Sequence, residues 1–133
     1  MRRLAALLAV LATFAATATA EAKQLVRYQF GGGLAGISGA LTVARDGAAH
    51  QTGNRSADEH HFTLTAKQLS RLRRDLKRAR IKTLKRSYSP GAVVNDGVAQ
   101  SVTYKGRTVF VSTGAKYPAR LHRLLRRLGR LMR

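Results

Sequence analysis

The stretch that most constrains this chain is a strand that runs straight into a glycine triplet. Val26, Tyr28 and Phe30 alternate with Arg27 and Gln29, the period-two pattern of a half-buried strand. Gly31, Gly32 and Gly33 follow at once, and Gly36 comes three residues later. Glycine has no Cβ, so it enters the left-handed φ region and lets another backbone approach closely. Three in a row after a strand predict a sharp, exposed bend whose shape matters.

The N-terminus has a different character. Arg2 and Arg3 precede an almost unbroken apolar run from Leu4 to Ala16, and Ala18-Thr19-Ala20 supplies small residues at a cleavage spacing. That order of parts is a secretory signal peptide, and its apolar run is short for a bilayer span. Removing 20 of the 133 residues would leave a single domain of 113, residues 21–133, with one modest core. The chain has no cysteine, so an exported domain of this kind holds itself by packing alone and carries no lipid at the cleavage site. No second apolar run is long enough to span a membrane. The formal net charge is +19, from 25 basic and 6 acidic residues; loss of Arg2 and Arg3 would leave +17. Such a balance predicts attraction to polyanions, including anionic envelope polymers. Arginine outnumbers lysine. Selection for bidentate anion contacts and a GC-rich coding bias both produce that excess.

The remaining chain reads as β-β-β-α-β-β-α. Strands are expected at about Gln24 to Phe30, Ile37 to Arg45 and Ala48 to Gly53, with Asp46-Gly47 as a two-residue hairpin signal. Asn54 to Glu59 is polar and reads as loop, and His60 to Thr65 as a short extended approach. Thr65 with Gln68 three residues on forms a capping box for a helix to about Arg80. Leu69, Leu72, Leu76 and Ala79 make one helical face, with Ile81 and Leu84 tucking under its end. Lys85 to Gly97 reads as a long loop broken at Ser89-Pro90-Gly91. Val98 to Tyr104 and Arg107 to Ser112 form a second hairpin about Lys105-Gly106. Pro118 opens a last helix, about Ala119 to Met132, with Leu121, Leu124, Leu125, Leu128 and Met132 on one face and arginines over the rest. The expected architecture is α+β: a small antiparallel sheet of two hairpin units with both amphipathic helices packed on one face.

Few residues offer chemistry. Asp58-Glu59-His60-His61 resembles a ligand cluster, but neighbouring strand residues point to opposite faces and no partner stands at a zinc spacing. It reads as a solvated loop, and no metal site or cofactor is expected. There is no cysteine nucleophile and no Gly-x-Ser-x-Gly elbow, and six carboxylates leave little room for an acid/base pair. The glycines lack the Gly-Lys-Ser/Thr ending of a phosphate loop. The chain therefore reads as a non-enzyme with no catalytic residues. A second candidate surface is the pair of basic helices, through Arg71, Arg74, Arg78, Arg123, Arg127 and Arg130. Without interleaved aromatics for base stacking, specific nucleic-acid recognition is not expected.

Gly32-Gly33-Leu34-Ala35-Gly36 at a strand end, Leu64-Thr65 before a leucine-faced helix, Asp96 ahead of Val102-Thr103-Tyr104, and Pro118 opening a helix with Leu121 and Leu125 form a pattern. It resembles the emfourin family, small proteinaceous inhibitors of thermolysin-like zinc metalloproteases. The resemblance covers most of residues 21–133. It implies a secreted, monomeric interaction module that offers a rigid loop to a protease active-site cleft, a preformed loop losing little entropy on binding. Gly32, Gly33, Leu34, Ala35, Gly36 and Asp96, with the Lys85–Gly97 loop, are the contact residues it implies. Binding of polyanions or the cell envelope through the arginine-rich helices is the alternative.

Overall fold

The computed structural model describes residues 23–34, 36–54, 58–91 and 97–132. Residues 1–20, read in the sequence as a secretory signal, lie outside them. Seven strands form one sheet: β1 (Gln24–Gly32), β2 (Ile37–Ala44), β3 (Ala48–Gly53), β4 (His60–Thr63), β5 (Ser87–Tyr88), β6 (Val98–Tyr104) and β7 (Arg107–Ser112). Helix α1 (Ala66–Ala79) separates β4 from β5, and α2 (Ala119–Leu131) closes the chain. The strand order is β4-β3-β2-β1-β6-β7-β5.

The α+β class matches the reading of the sequence and the element order does so broadly, with two further short strands, β4 and β5; the sheet is more unified than two hairpin units. β1 pairs antiparallel with both β2 and β6, so the glycine-ended strand joins the hairpins at the centre. The extended approach at His60 is itself a strand, antiparallel to β3. Inside the expected long loop, Ser87–Tyr88 adds to β7 in parallel, which makes the sheet mixed. Two residues are too short a run to show periodicity, so only the tertiary pairing reveals them. The turn at Asp46-Gly47 spans three residues, 45–47, with Gly47 at φ +94 and Asp46 Oδ1 accepting from Ala48 N. Lys105 and Gly106, both at positive φ, make the second hairpin turn where the sequence places it.

Alternation places Val26, Tyr28, Leu41, Val43, Ala49, Val102, Val109 and Val111 on one buried face. Leu72, Leu76 and Ala79 of α1 and Leu121, Leu124, Leu125 and Leu128 of α2 complete that core, with Leu64, Ile81 and Leu84 sealing it. Thr65 Oγ1 accepts from Gln68 N, and Gln68 Oε1 accepts from Thr65 N, so the capping box is reciprocal. The helices run antiparallel: Arg120 Nε donates to the Ala79 carbonyl at 3.0 Å, while Arg127 pairs with Asp75 one turn back along α1. Among the described residues no helix is long and apolar enough to cross a membrane.

Candidate functional site

The bend after β1 is tied down on both sides. Gly32, Gly33 and Gly36 all have positive φ, at +118, +79 and +61. A Cβ at Gly32 would lie 2.7 Å from the Gly97 carbonyl oxygen, so that approach needs glycine for space as well as for dihedral angle. The same carbonyl accepts from Gly33 N at 3.0 Å, and Gly36 N donates to Gly33 O at 3.1 Å across the turn. On the other side Asn54 works as a clamp. Its Nδ2 donates to Gly36 O at 2.8 Å, and its Oδ1 accepts from both Ser38 N and Ser38 Oγ at 2.6 Å.

β6 is fastened behind this tip, where Thr113 Oγ1 accepts from Val98 N and donates to Val98 O, each at 2.8 Å. The result is a braced tip with Leu34 at its crown, 90% exposed, and Ile37 beside it at 47%. An isobutyl group this exposed is the kind of anchor that a partner's pocket desolvates.

Of the expected contact residues, Gly32, Gly33, Leu34 and Gly36 are brought together here. Ala35 and Asp96 lie outside the described residues. Gly97, the end of the Lys85–Gly97 loop, sits against the tip, so the two segments singled out in the sequence meet at this residue. Asn54 and Thr113 went unnoticed in the sequence, since short polar residues in turns carry no sign of what they will clamp.

The basic residues divide into two kinds. Arg71, Arg74, Arg78, Arg123 and Arg130 are exposed on the two helices. Arg127 is not a free basic side chain: it pairs with Asp75, which is 5% exposed and buried between the helices. Its expected place among solvated arginines is corrected by that contact, because a buried carboxylate requires a partner. Arg120 likewise caps the end of α1.

A further cluster forms on the outer face of the sheet. His50 and His61 are direct cross-strand partners in the β3–β4 register. Their rings stack with centroids 4.3 Å apart and planes 5° from parallel. Glu59 Oε1 lies 2.7 Å from His50 Nε2 and 3.3 Å from His61 Nε2. The hydrogen bond with His50, then that with His61, holds the Glu59 carboxyl below its usual range. His60 lies opposite Gln51, on the other face. By sequence distance His50 lies too far from His61 for a zinc spacing; the pairing eleven positions apart comes from strand register.

Comparison with models of known protein families and with curated proteins finds no match for this chain.

Proposed function

We propose that this protein is a secreted, non-enzymatic interaction module that inhibits a thermolysin-like metalloprotease, with the Gly32–Gly36 tip entering the active-site cleft. The observation that carries this reading is the braced tip with Leu34 at its crown. A leucine exposed on a short, pinned turn offers a cleft an apolar anchor that is already held in place. The bracing matters because a tip already ordered by Asn54 and Gly97 has less conformational entropy to lose on docking. The most distinctive piece of the resemblance to the emfourin family is this same glycine stretch, Gly32 to Gly36.

The test is an inhibition titration against a secreted thermolysin-like protease. Wild type should inhibit at micromolar concentration or below. Leu34→Asp should lose inhibition with its melting temperature unchanged, since the residue is 90% exposed. Gly33→Val should lose it too, through a side chain at φ +79. A Leu34→Asp variant as potent as wild type would refute insertion of this tip.

One observation favours a second reading, attachment to polyanions of the cell envelope. Apart from Arg120 and Arg127, the helix arginines are exposed, and the one acidic residue within the two helices, Asp75, is already paired with Arg127. Polyanion binding weakens steeply with salt, whereas a tip held by an apolar anchor loses far less.

A further inference from the structure

We propose that His50, Glu59 and His61 bind a divalent transition-metal ion, with Zn²⁺ as the reference ion, on the outer face of the sheet at its β4 edge. This site is independent of the protease-inhibitor reading and uses none of its residues.

The argument starts from register. His50 and His61 face each other across β3 and β4, so both rings leave the same face of the sheet at one strand spacing. Stacked 4.3 Å apart and nearly parallel, the rings stand side by side, and a shared ion requires them to tilt toward each other so that it lies in both ring planes. Glu59, next to the start of β4, brings a carboxylate oxygen beside both Nε2 atoms. The segment carrying it is packed closely on β3, since a Cβ at Gly53 would come within 2.7 Å of Asp58 Cβ. One ligand atom from each of the three residues lies within 4.8 Å of the others.

Zn²⁺ bound by nitrogen and oxygen at about 2.0–2.1 Å in tetrahedral geometry requires donors roughly 3.3 Å apart. Glu59 Oε1 is already 2.7 Å and 3.3 Å from the two imidazole nitrogens. The side chains are 42%, 72% and 50% exposed for His50, His61 and Glu59, so they have room to rotate onto one ion, at the cost of the ring stacking. Exposure also leaves the fourth position open to water.

The donor set chooses the class of ion. Two imidazoles with one carboxylate suit Zn²⁺, Cu²⁺ and Ni²⁺, whereas Ca²⁺ and Mg²⁺ favour all-oxygen shells. Charge acts against any cation on a chain of +19. Thr42 is the next residue in this cross-strand row and Arg27 the one after it, which puts the row's first cation two strands from His50. At roughly 10 Å its repulsion is largely screened at physiological ionic strength. Glu59 supplies the local negative charge, so its carboxylate is needed for charge as well as for coordination.

The purified protein is titrated with Zn²⁺, followed by calorimetry and by the histidine ring resonances. One ion should bind per chain in the micromolar range, with the His50 and His61 signals moving and those of His60 and His122 staying in place. Glu59→Gln and His61→Ala should each weaken binding by more than about tenfold, at least the loss that follows removal of an outer-shell partner. His60→Ala should bind as wild type does. Circular dichroism of each variant should match wild type, because the altered side chains are exposed. Absence of saturable binding, equal movement of all four histidines, or equal loss in His60→Ala and His61→Ala would overturn the site.

Discussion

Arg127 and Asp75 show how much one contact can change a residue's role. By spacing, Arg127 belongs to a solvated basic face; in the fold it neutralises a carboxylate sealed between two helices. Removing one member of a buried pair leaves an uncompensated charge, which costs about 3–5 kcal/mol when both are buried. Arg127 is one-third exposed, so water takes up part of that penalty. Arg127→Ala should therefore destabilise by about 2–3 kcal/mol in urea unfolding, against about 0.5 kcal/mol or less for the exposed Arg126→Ala. Equal midpoints would mean that Asp75 does not depend on its partner. Glu59 gives a second test at this scale. Its folded carboxyl titrates below the ordinary 4.5 because the His50 and His61 rings hold hydrogen bonds to it. A depressed carboxyl contributes stability that is present above its unfolded value and lost as pH falls through the folded one. In an NMR titration, His50→Ala should raise the Glu59 midpoint toward 4.5, removing the larger of the two contributions.

The helices are specified both by their ends and by their faces. Thr65→Ala removes the side-chain half of the capping box and should lower stability by about 1 kcal/mol. At the other end Arg80 takes a left-handed conformation, φ +50 and ψ +52, so that the chain turns into the short 3₁₀ segment Ile81–Thr83. A non-glycine residue carries a steric penalty there, and Arg80→Gly should raise stability by about 0.5–1 kcal/mol in thermal unfolding. A loss of stability on that change would show that the Arg80 side chain makes a compensating contact. On the helix faces, Leu125 is 3% exposed. Leu125→Ala should cost about 2–5 kcal/mol, the range for a leucine whose cavity cannot fully collapse. The strands differ in how they are held. β1 is hydrogen-bonded along both edges, to β2 and β6, whereas the two-residue β5 is held by β7 alone.

At the level of the whole molecule the charge is sorted by layer. The sheet carries its braced tip at one end of the β1–β2 hairpin, and the helical layer carries most of the outward arginines. The two functional readings therefore use different surfaces and can be separated by mutation. Replacing Arg71, Arg74 and Arg78 with Gln should make the salt dependence of heparin retention shallower and leave protease inhibition unchanged. Leu34→Asp should do the opposite. If both sets of changes moved both measurements together, the surfaces would not be independent.

Period-two alternation from Val26 to Phe30 and from Val109 to Val111, and the leucine spacing of both helices, were enough to identify the core, because burial of a regular element leaves its period in the chain. The capping box and the Lys105-Gly106 turn were equally legible, since their hydrogen bonds and dihedral angles are settled within a few residues. The glycines announced a bend for the same local reason. What clamps that bend was not legible: Asn54 and Gly97 reach Gly36 and Gly33 only after β2–β3 and β1–β6 have paired. The stacked His50 and His61, the Asp75–Arg127 pair and the parallel strand at Ser87 share that origin. Each depends on which residues the strand register and the helix crossing set side by side. Those are decided by how all the apolar faces bury together, a property of the packed molecule that no short window of sequence contains.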